Sequence, residues 1–480
     1  MPRSILLHNK LHSFESAAEE ESNFLLSVRH QCAAESLRHR LWDQRESIKA
    51  VVRHHLRLRR DDVCTVLPPE SWIQGGFNLC VLVQVDSGGF TRRLVFRCPM
   101  PHKLAEHRYP GTIDEKFTHI RQRPVYVGIY HAFWRWIHRL LHYPLLSNYT
   151  RDASAPAVGT AYMLLEYIGP ETGKMLSHTW TQYMRDASRR ARLFQGMARI
   201  MLSLARLPQL HIGSFQFNTS DGTITLSNRP LTCTMMIFEN SGTPRTIQPC
   251  QLYQSTDSFA SDMLTLHDNY LLHDPHAVRH KDDARERMTI RTLLRAVMHY
   301  FILSDRRNGP FLLQLTDFHQ SNIFVDDDWN ITCLIDLEWI CALPVEMLSV
   351  PYWLTNCSID SIIDEEYSDF DEARQVFLAI MDEENRSIRM EHDLQITSTM
   401  RDVWESKGVW FWACLRSINA WLFVFEDHIL PKFSADRGLV VDLKQVSTFW
   451  QEEVGLVVKA KVDDEERYQA ELRSLFDSKE

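Results

Sequence analysis

Residues Phe311 to Trp339 read FLLQLTDFHQSNIFVDDDWNITCLIDLEW, and the fold turns on this stretch. An apolar run, Phe311 to Leu315, stops at Thr316-Asp317. A polar link, His319-Gln320-Ser321, leads to Asn322. A second run, Ile323 to Val325, ends in the turn residues Asp326 to Asn330. A third, Ile331 to Ile335, stops at Asp336. Short apolar runs bounded by turn residues read as strands. The pattern sets Asp317, Asn322 and Asp336 at strand ends, where a sheet can hold them near one another.

That trio suits phosphoryl transfer. The reaction needs a carboxylate to orient the attacking hydroxyl and take its proton, and oxygen ligands to hold Mg²⁺ on nucleotide phosphates. Asp317 and Asn322 have the D-x-x-x-x-N spacing of a kinase-type loop, and Asp336 follows on the next hairpin. Taken alone this spacing is common, and Asp and Asn are also ordinary turn formers. Specificity comes from the whole stretch, continuing through Pro344 and Pro351-Tyr352-Trp353-Leu354.

The stretch resembles the aminoglycoside phosphotransferase family. It is most similar to fungal members with D-[LF]-H-x-S-N-I-F-V-D followed by a hydrophobic-Asp-hydrophobic-Glu-Trp strand end. The resemblance implies an α+β, bilobal, protein-kinase-like fold, with a small sheet-containing N-lobe and a larger helical C-lobe. It implies ATP- and Mg²⁺-dependent phosphorylation of a hydroxyl on a small molecule. Asp317 is then the catalytic base, and Asn322 and Asp336 are metal ligands. Locally the chain departs at Leu315, where many relatives carry a His.

Upstream, Gly75-Gly76-Phe77-Asn78 opens a strand and resembles the family's G-x-x-N loop. A Gly pair allows backbone to approach a ligand closely, and its N–H groups can face phosphate. Asp86-Ser87-Gly88-Gly89 reads as a hairpin turn. Arg97, on the return strand, falls where relatives place a phosphate-gripping Lys or Arg. Thr160 to Gly169 is an apolar strand that resembles the hinge whose backbone, at Glu166 and Ile168, meets adenine. Between these two segments the chain departs from the family. Gly111 to Lys116 looks like the start of a helix whose body is missing. Neither Glu106 nor Glu115 is therefore expected to be held against Arg97. The small sheet should lack its usual helix, its apolar face lying bare or under Val125 to Leu141. This departure supports a second reading: a kinase-like protein that binds nucleotide or a partner without catalysis.

A length of 480 residues allows about two to four domains. The expected division is a helical extension over 1–69, a nucleotide-binding N-lobe over 70–169, cut short after Lys116, and a helical C-lobe over 170–480 with the catalytic and metal-binding loops. Ser13 to Leu58 reads as helix, with Leu25, Leu26, Leu37, Leu41, Ile48 and Val52 on an apolar stripe. Its His and Arg residues, among them His30 and His55, read as a solvated face. Val125 to Leu141 is an aromatic helix whose stripe reads as core. Net charge is −9 with no basic block, which argues against a nucleic-acid partner. Ten cysteines without C-x-x-C indicate a reduced, cytoplasmic protein. Val409 to Phe425, the most apolar late segment, contains Arg416 and Asn419 and is no membrane span, so no membrane partner is expected. The acidic run Asp360, Asp364, Glu365, Glu366 reads as solvated.

Overall fold

Alternation at period two builds the first layer. Leu79, Val81, Val83 and Val85 are buried, as are Leu94, Phe96 and Cys98, while the residues between them face the other way. The structure is a computed structural model and describes residues 4–7, 10–109, 117–120, 124–151, 156, 158–387, 394–436 and 439–477. Strand β1 (Val63–Val66) and the short β2 (Ile73–Gln74) both pair with β3 (Asn78–Ser87). A tight turn at Gly88 and Gly89, both with positive φ, sends β3 into β4 (Phe90–Pro99). Only glycine adopts that turn without strain. On the far side β5 (Met163–Glu166) pairs with β4, so that Arg97 lies between Cys80 and Met163. All pairings are antiparallel.

Two helices cover the buried face of this sheet. Helix α1 (Phe24–Asp43) starts at an Asn23 cap, whose side chain accepts from Leu26 N at 3.0 Å. Helix α2 (Arg45–Leu56) ends at Arg57, which adopts the left-handed conformation. Leu37 and Leu41 of α1 and Ile48, Val51 and Val52 of α2 form one core with Val81, Phe96 and the other inward strand residues. The small lobe's core thus spans both sides of residue 70. The apolar face expected to lie bare, or under the aromatic helix, lies under α1 and α2.

The aromatic helix, α3 (Val125–Leu140), has the expected span but not the expected burial. Tyr126, Ile129, Tyr130, Phe133, Trp136 and Leu140 are all more than half exposed. Its protein side is polar: His131 is buried, and Arg135 donates to the Asn148 side chain. Helical periodicity reports that a stripe exists, not which way it faces. Gly111 to Lys116, read as a helix start, lies outside the described residues.

The large lobe begins with α4 (Ala187–Ala205), capped by Asp186. A hairpin of β6 (Gly213–Phe217) and β7 (Thr223–Asn228) turns at Gly222, whose φ is positive. Helices α5 (Thr256–His273) and α6 (Lys281–Val297) flank the break expected at Asp274-Pro275. The stretch that decided the fold follows as β8 (Leu312–Leu315), β9 (Ile323–Val325), β10 (Ile331–Leu334) and β11 (Ile340–Leu343). Strands β8, β11, β6 and β7 form one sheet in that order, joined at its edge by Leu145–Leu146; β9 and β10 pair separately, with Lys174–Met175 beside β9. Helices α7 (Asp364–Ser387), α8 (Ile396–Glu405), α9 (Gly408–Arg416) and α10 (Val454–Asp477) complete the lobe. Asp364, Glu365 and Glu366 are exposed in the first turn of α7, where negative charge suits the helix dipole. A large core runs from Trp180 and Phe194 through Phe259 and Phe311 to Trp410 and Trp412. The α+β, bilobal expectation holds: a sheet-bearing N-terminal region and a larger helical C-terminal region.

The chain's two ends meet. Phe24 N donates to the Tyr468 hydroxyl at 2.9 Å, and Phe24 shares a core with Leu7, Ala17, Tyr468, Leu472 and Phe476. His276 stacks on Tyr468 at 4.1 Å and meets Glu465 at 2.7 Å.

Two histidines of the large lobe are buried as neutral rings. His267 Nε2 donates to Leu415 O at 3.0 Å, and burial, with Arg291 and Arg295 nearby, pushes its pKa down to about 3. His428 stacks on Trp410 at 3.7 Å, and burial, with Lys407 adding, pushes it down to about 4. Unfolding returns both toward an ordinary value near 6.5, so the unfolded chain binds more protons below that pH. Their contribution is full above about 6.5 and is lost as pH falls toward the folded values. The thermal midpoint should therefore drop steadily between about pH 6.5 and 4. A His428→Phe variant should show a shallower drop by calorimetry, and an unchanged slope would count against this assignment.

Candidate active site

Strand register assembles the trio. Ile323 pairs with Leu334 across β9 and β10, and just beyond that pair Ile335 N donates to Asn322 O at 3.0 Å. This sets Asn322 beside Asp336, the next residue. The Asn322 amide donates to Asp317 O at 2.9 Å and lies 3.4 Å from Asp317 Oδ2. Asn322 is buried, so its position is fixed by packing as well as by these bonds. The loop is braced from behind. Thr316 Oγ1 donates to Trp339 O at 2.7 Å, and Trp353 Nε1 donates to Phe318 O at 2.8 Å. Asp317, Asn322 and Asp336 line one void of about 10 Å³, room for about one water.

Arg97 reaches Asp336, at the edge of this void, from the small lobe. Its strand neighbours Phe96 and Cys98 point into the core, so period two aims Arg97 at the large lobe. Arg97 Nη2 lies 2.6 Å from Asp336 Oδ1 and 2.6 Å from Glu338 Oε1, and Nη1 donates to Glu338 Oε2 at 3.1 Å. The Glu338 contact is bidentate, the geometry for which a guanidinium is suited and an ammonium is not. With its oxygen turned to the guanidinium, the Asn78 amide accepts from Arg97 Nε at 3.2 Å and Nη2 at 2.6 Å. Phe77, one residue earlier, packs its ring on Trp339 with centroids 5.0 Å apart. Glu338 and Trp339 are the positions that sequence reasoning left without a role. The only sequence signal was their place directly after Asp336 at the strand end.

Charge is crowded here. Asp336 has a left-handed backbone, φ 57°, a conformation Asp tolerates better than most side chains. Burial raises its carboxyl above the usual range; Glu338 and Asp317 add to this while Arg97 opposes it. For Arg97 itself burial works against the charge, but Glu338 and Asp336 outweigh it and hold the guanidinium more firmly protonated. His319 Nε2 stands 3.6 Å from Asp317 Oδ1, and its Nδ1 accepts from Ser321 N at 3.2 Å. Burial pushes the Cys233 thiol up to about 12, with Asp317 and Glu338 adding to the effect.

A larger cavity of about 740 Å³ opens beside Arg97, between the lobes. Phe77, Asn78, Arg97, Glu338 and Trp339 form its inner wall, and Met163 to Glu166 of β5 form another. Glu166 stands at this wall with its carboxylate against Arg92. Ile168 lies two residues past the strand, half-buried, and is not among the lining residues. Gly75 and Gly76 also lie outside the lining; a Cβ at Gly76 would meet nothing within 4 Å, so packing does not demand glycine there. His55, read as part of a solvated face, is buried against this cavity, with Nε2 2.9 Å from the Tyr162 hydroxyl. His30, from the same set, has its pKa pushed down to about 3, by burial first and then by Lys103. Glu115 lies outside the described residues. The carboxylates that pair with Arg97 are Glu338 and Asp336, from across the cleft.

The donor set suits a hard cation. Asn322 and Asp336 offer oxygen, and the surplus of carboxylates around Arg97 favours positive charge. Among the described residues no group of three or more His, Cys, Asp or Glu is placed to hold a metal by itself. Mg²⁺ on a nucleotide does not require such a group, since phosphate oxygens and water complete its shell.

No protein-family model matches the chain, and no curated protein matches it. Among solved structures it is similar to an ethanolamine kinase from Plasmodium vivax, at 12% identity over 83% of this chain and 87% of that one, with a TM-score of 0.34. It is also similar to a spectinomycin phosphotransferase solved with ADP and spectinomycin, at 11% identity over 78% of this chain and 92% of that one, with a TM-score of 0.26. The chemistry of the cleft rests on its own geometry.

If Arg97 and Glu338 join the lobes, they should be energetically coupled. A double-mutant cycle with Arg97→Met and Glu338→Gln, followed by urea unfolding, should give a coupling of about 0.5–3 kcal/mol. Additive effects would mean that the contact does not bind the lobes together.

Proposed function

We propose that the protein is an ATP- and Mg²⁺-dependent phosphotransferase acting on a hydroxyl of a small molecule in a reducing, cytoplasmic setting. The observation that carries this reading is the convergence of Asp317, Asn322 and Asp336 on one void beneath Arg97, next to a cleft large enough for a nucleotide. The motif resemblance to the fungal aminoglycoside phosphotransferases supports it as well. Asp317 orients the acceptor hydroxyl and takes its proton, within reach of His319. Asn322 and Asp336 hold the metal, which when bound neutralises phosphate charge and steadies the terminal phosphate for in-line attack. Arg97 steadies the phosphates, and Glu338 keeps its guanidinium aimed into the cleft. Phe77 and Asn78 cover the phosphate end, with the backbone of Gly75 and Gly76 behind them. The main chain at Glu166 faces the base, with Ile168 just past the cleft wall.

The Arg97–Asp336 contact favours a second reading. In this arrangement the guanidinium occupies the carboxylate that would hold metal, and the void beside it is about 10 Å³. A protein fixed in that state binds nucleotide in the outer cleft or binds a partner, without turnover. An ADP-release assay with and without Mg²⁺, run alongside nucleotide-binding calorimetry, separates the two readings: binding without Mg²⁺-dependent release selects the second.

Two substitutions test the first reading. Asp317→Asn keeps shape but removes proton acceptance, so turnover should fall about 10²–10⁴-fold with nucleotide affinity nearly unchanged. Equal turnover in mutant and parent would remove Asp317 from the mechanism. Asp336→Ala should weaken Mg²⁺-nucleotide binding more than binding of nucleotide alone, because a hard cation loses a charged oxygen. Calorimetry that found the two equally affected would remove Asp336 as a ligand.

A further inference from the structure

Helix α3 is inside out. A helix on a folded domain normally turns its apolar stripe inward and its polar face to water. Here Tyr126, Ile129, Tyr130, Phe133, Trp136 and Leu140 recur at helical spacing on one outward face, each between 55% and 73% exposed. The inward side carries the polar contacts: buried His131, Arg135 to Asn148, and His138 Nδ1 donating to Pro144 O at 2.8 Å. An outward patch of this size marks an interaction surface.

The charge of the same segment selects the occupant. Over the described residues 124–150 there is no Asp or Glu, while Arg135 and Arg139 are basic; the chain as a whole carries −9. A second copy docking face to face would bring two such basic segments together, and like charges oppose that. An anionic lipid surface fits both properties. Tyr and Trp favour the headgroup level, aliphatic side chains enter the acyl boundary, and basic residues draw the helix to negative headgroups. At 16 residues the helix is about 24 Å long and carries Arg135 and Arg139, so it lies along an interface rather than crossing one. Among the described residues no helix is long and apolar enough to cross a membrane.

We infer that α3 is a docking surface for the face of an anionic lipid bilayer, which amends the expectation of no membrane partner. The inference is independent of the phosphotransfer reading. The test is vesicle flotation with the full chain, using phosphatidylcholine vesicles with and without about 30 mol% phosphatidylserine, at low and high salt. The expected result is flotation with the anionic vesicles only, weakened by salt. A Phe133→Asp/Trp136→Asp variant should bind at least about tenfold more weakly, with an unchanged melting curve because both side chains are exposed. Arg139→Gln, also at the surface, should lower the preference for anionic vesicles. Absence of flotation, binding equal with and without phosphatidylserine, or undiminished binding by the double Asp variant would each overturn the inference. So would concentration-dependent dimerisation abolished by the double variant in a protein that does not float, which would assign the face to a second copy.

Discussion

One guanidinium joins the two lobes. Arg97 stands on a strand of the small sheet, yet its carboxylate partners, Glu338 and Asp336, belong to the large lobe. Kinase-type sites align their phosphate-gripping cation through a carboxylate on a helix of the same lobe. Here the partners come from the strand end of the large lobe that carries Asp336, so one contact both aims the cation and links the lobes. Phe77 against Trp339 places an aromatic contact next to this pair, a second link between the lobes.

The same contact sets two demands against each other. Asp336 is half-buried among the like charges of Glu338 and Asp317, a setting that a nearby cation relieves. Arg97 supplies that cation from within the protein. On the phosphotransfer reading proposed above, a metal ion and its phosphates would compete for both partners at once, the metal for Asp336 and the phosphates for Arg97. Glu338 grips the guanidinium through both of its oxygens, and so can keep it in place while Asp336 is released.

The candidate site was legible where local pattern and local structure coincide. Asp317, Asn322 and Asp336 each sit at the end of a short apolar run, and strand pairing converts that spacing directly into proximity. Arg97 was legible for the same reason, since alternation along its strand fixes its face. Glu338 was less so: its partner is 241 residues away and on the other lobe, and nothing in a local window reports that. The helices before residue 70 showed their stripe but not the surface it meets. For α3 the period was right and the direction wrong, because burial depends on what else the chain brings to that side. His55 was misjudged alike: it stands in a run of charged residues, yet its ring faces inward to Tyr162.

Helix α1 carries a consequence of another kind. Its first residue packs on Tyr468, while its later turns pack on the small sheet. The contact between Phe24 and Tyr468 closes a loop of 444 residues. Contacts of such sequence separation are slow to form, because the entropy of closing the loop must be met before the contact returns anything. The first turn of α1 therefore cannot be anchored until α10 has been made, and Phe24 and its neighbours stay uncovered over that interval.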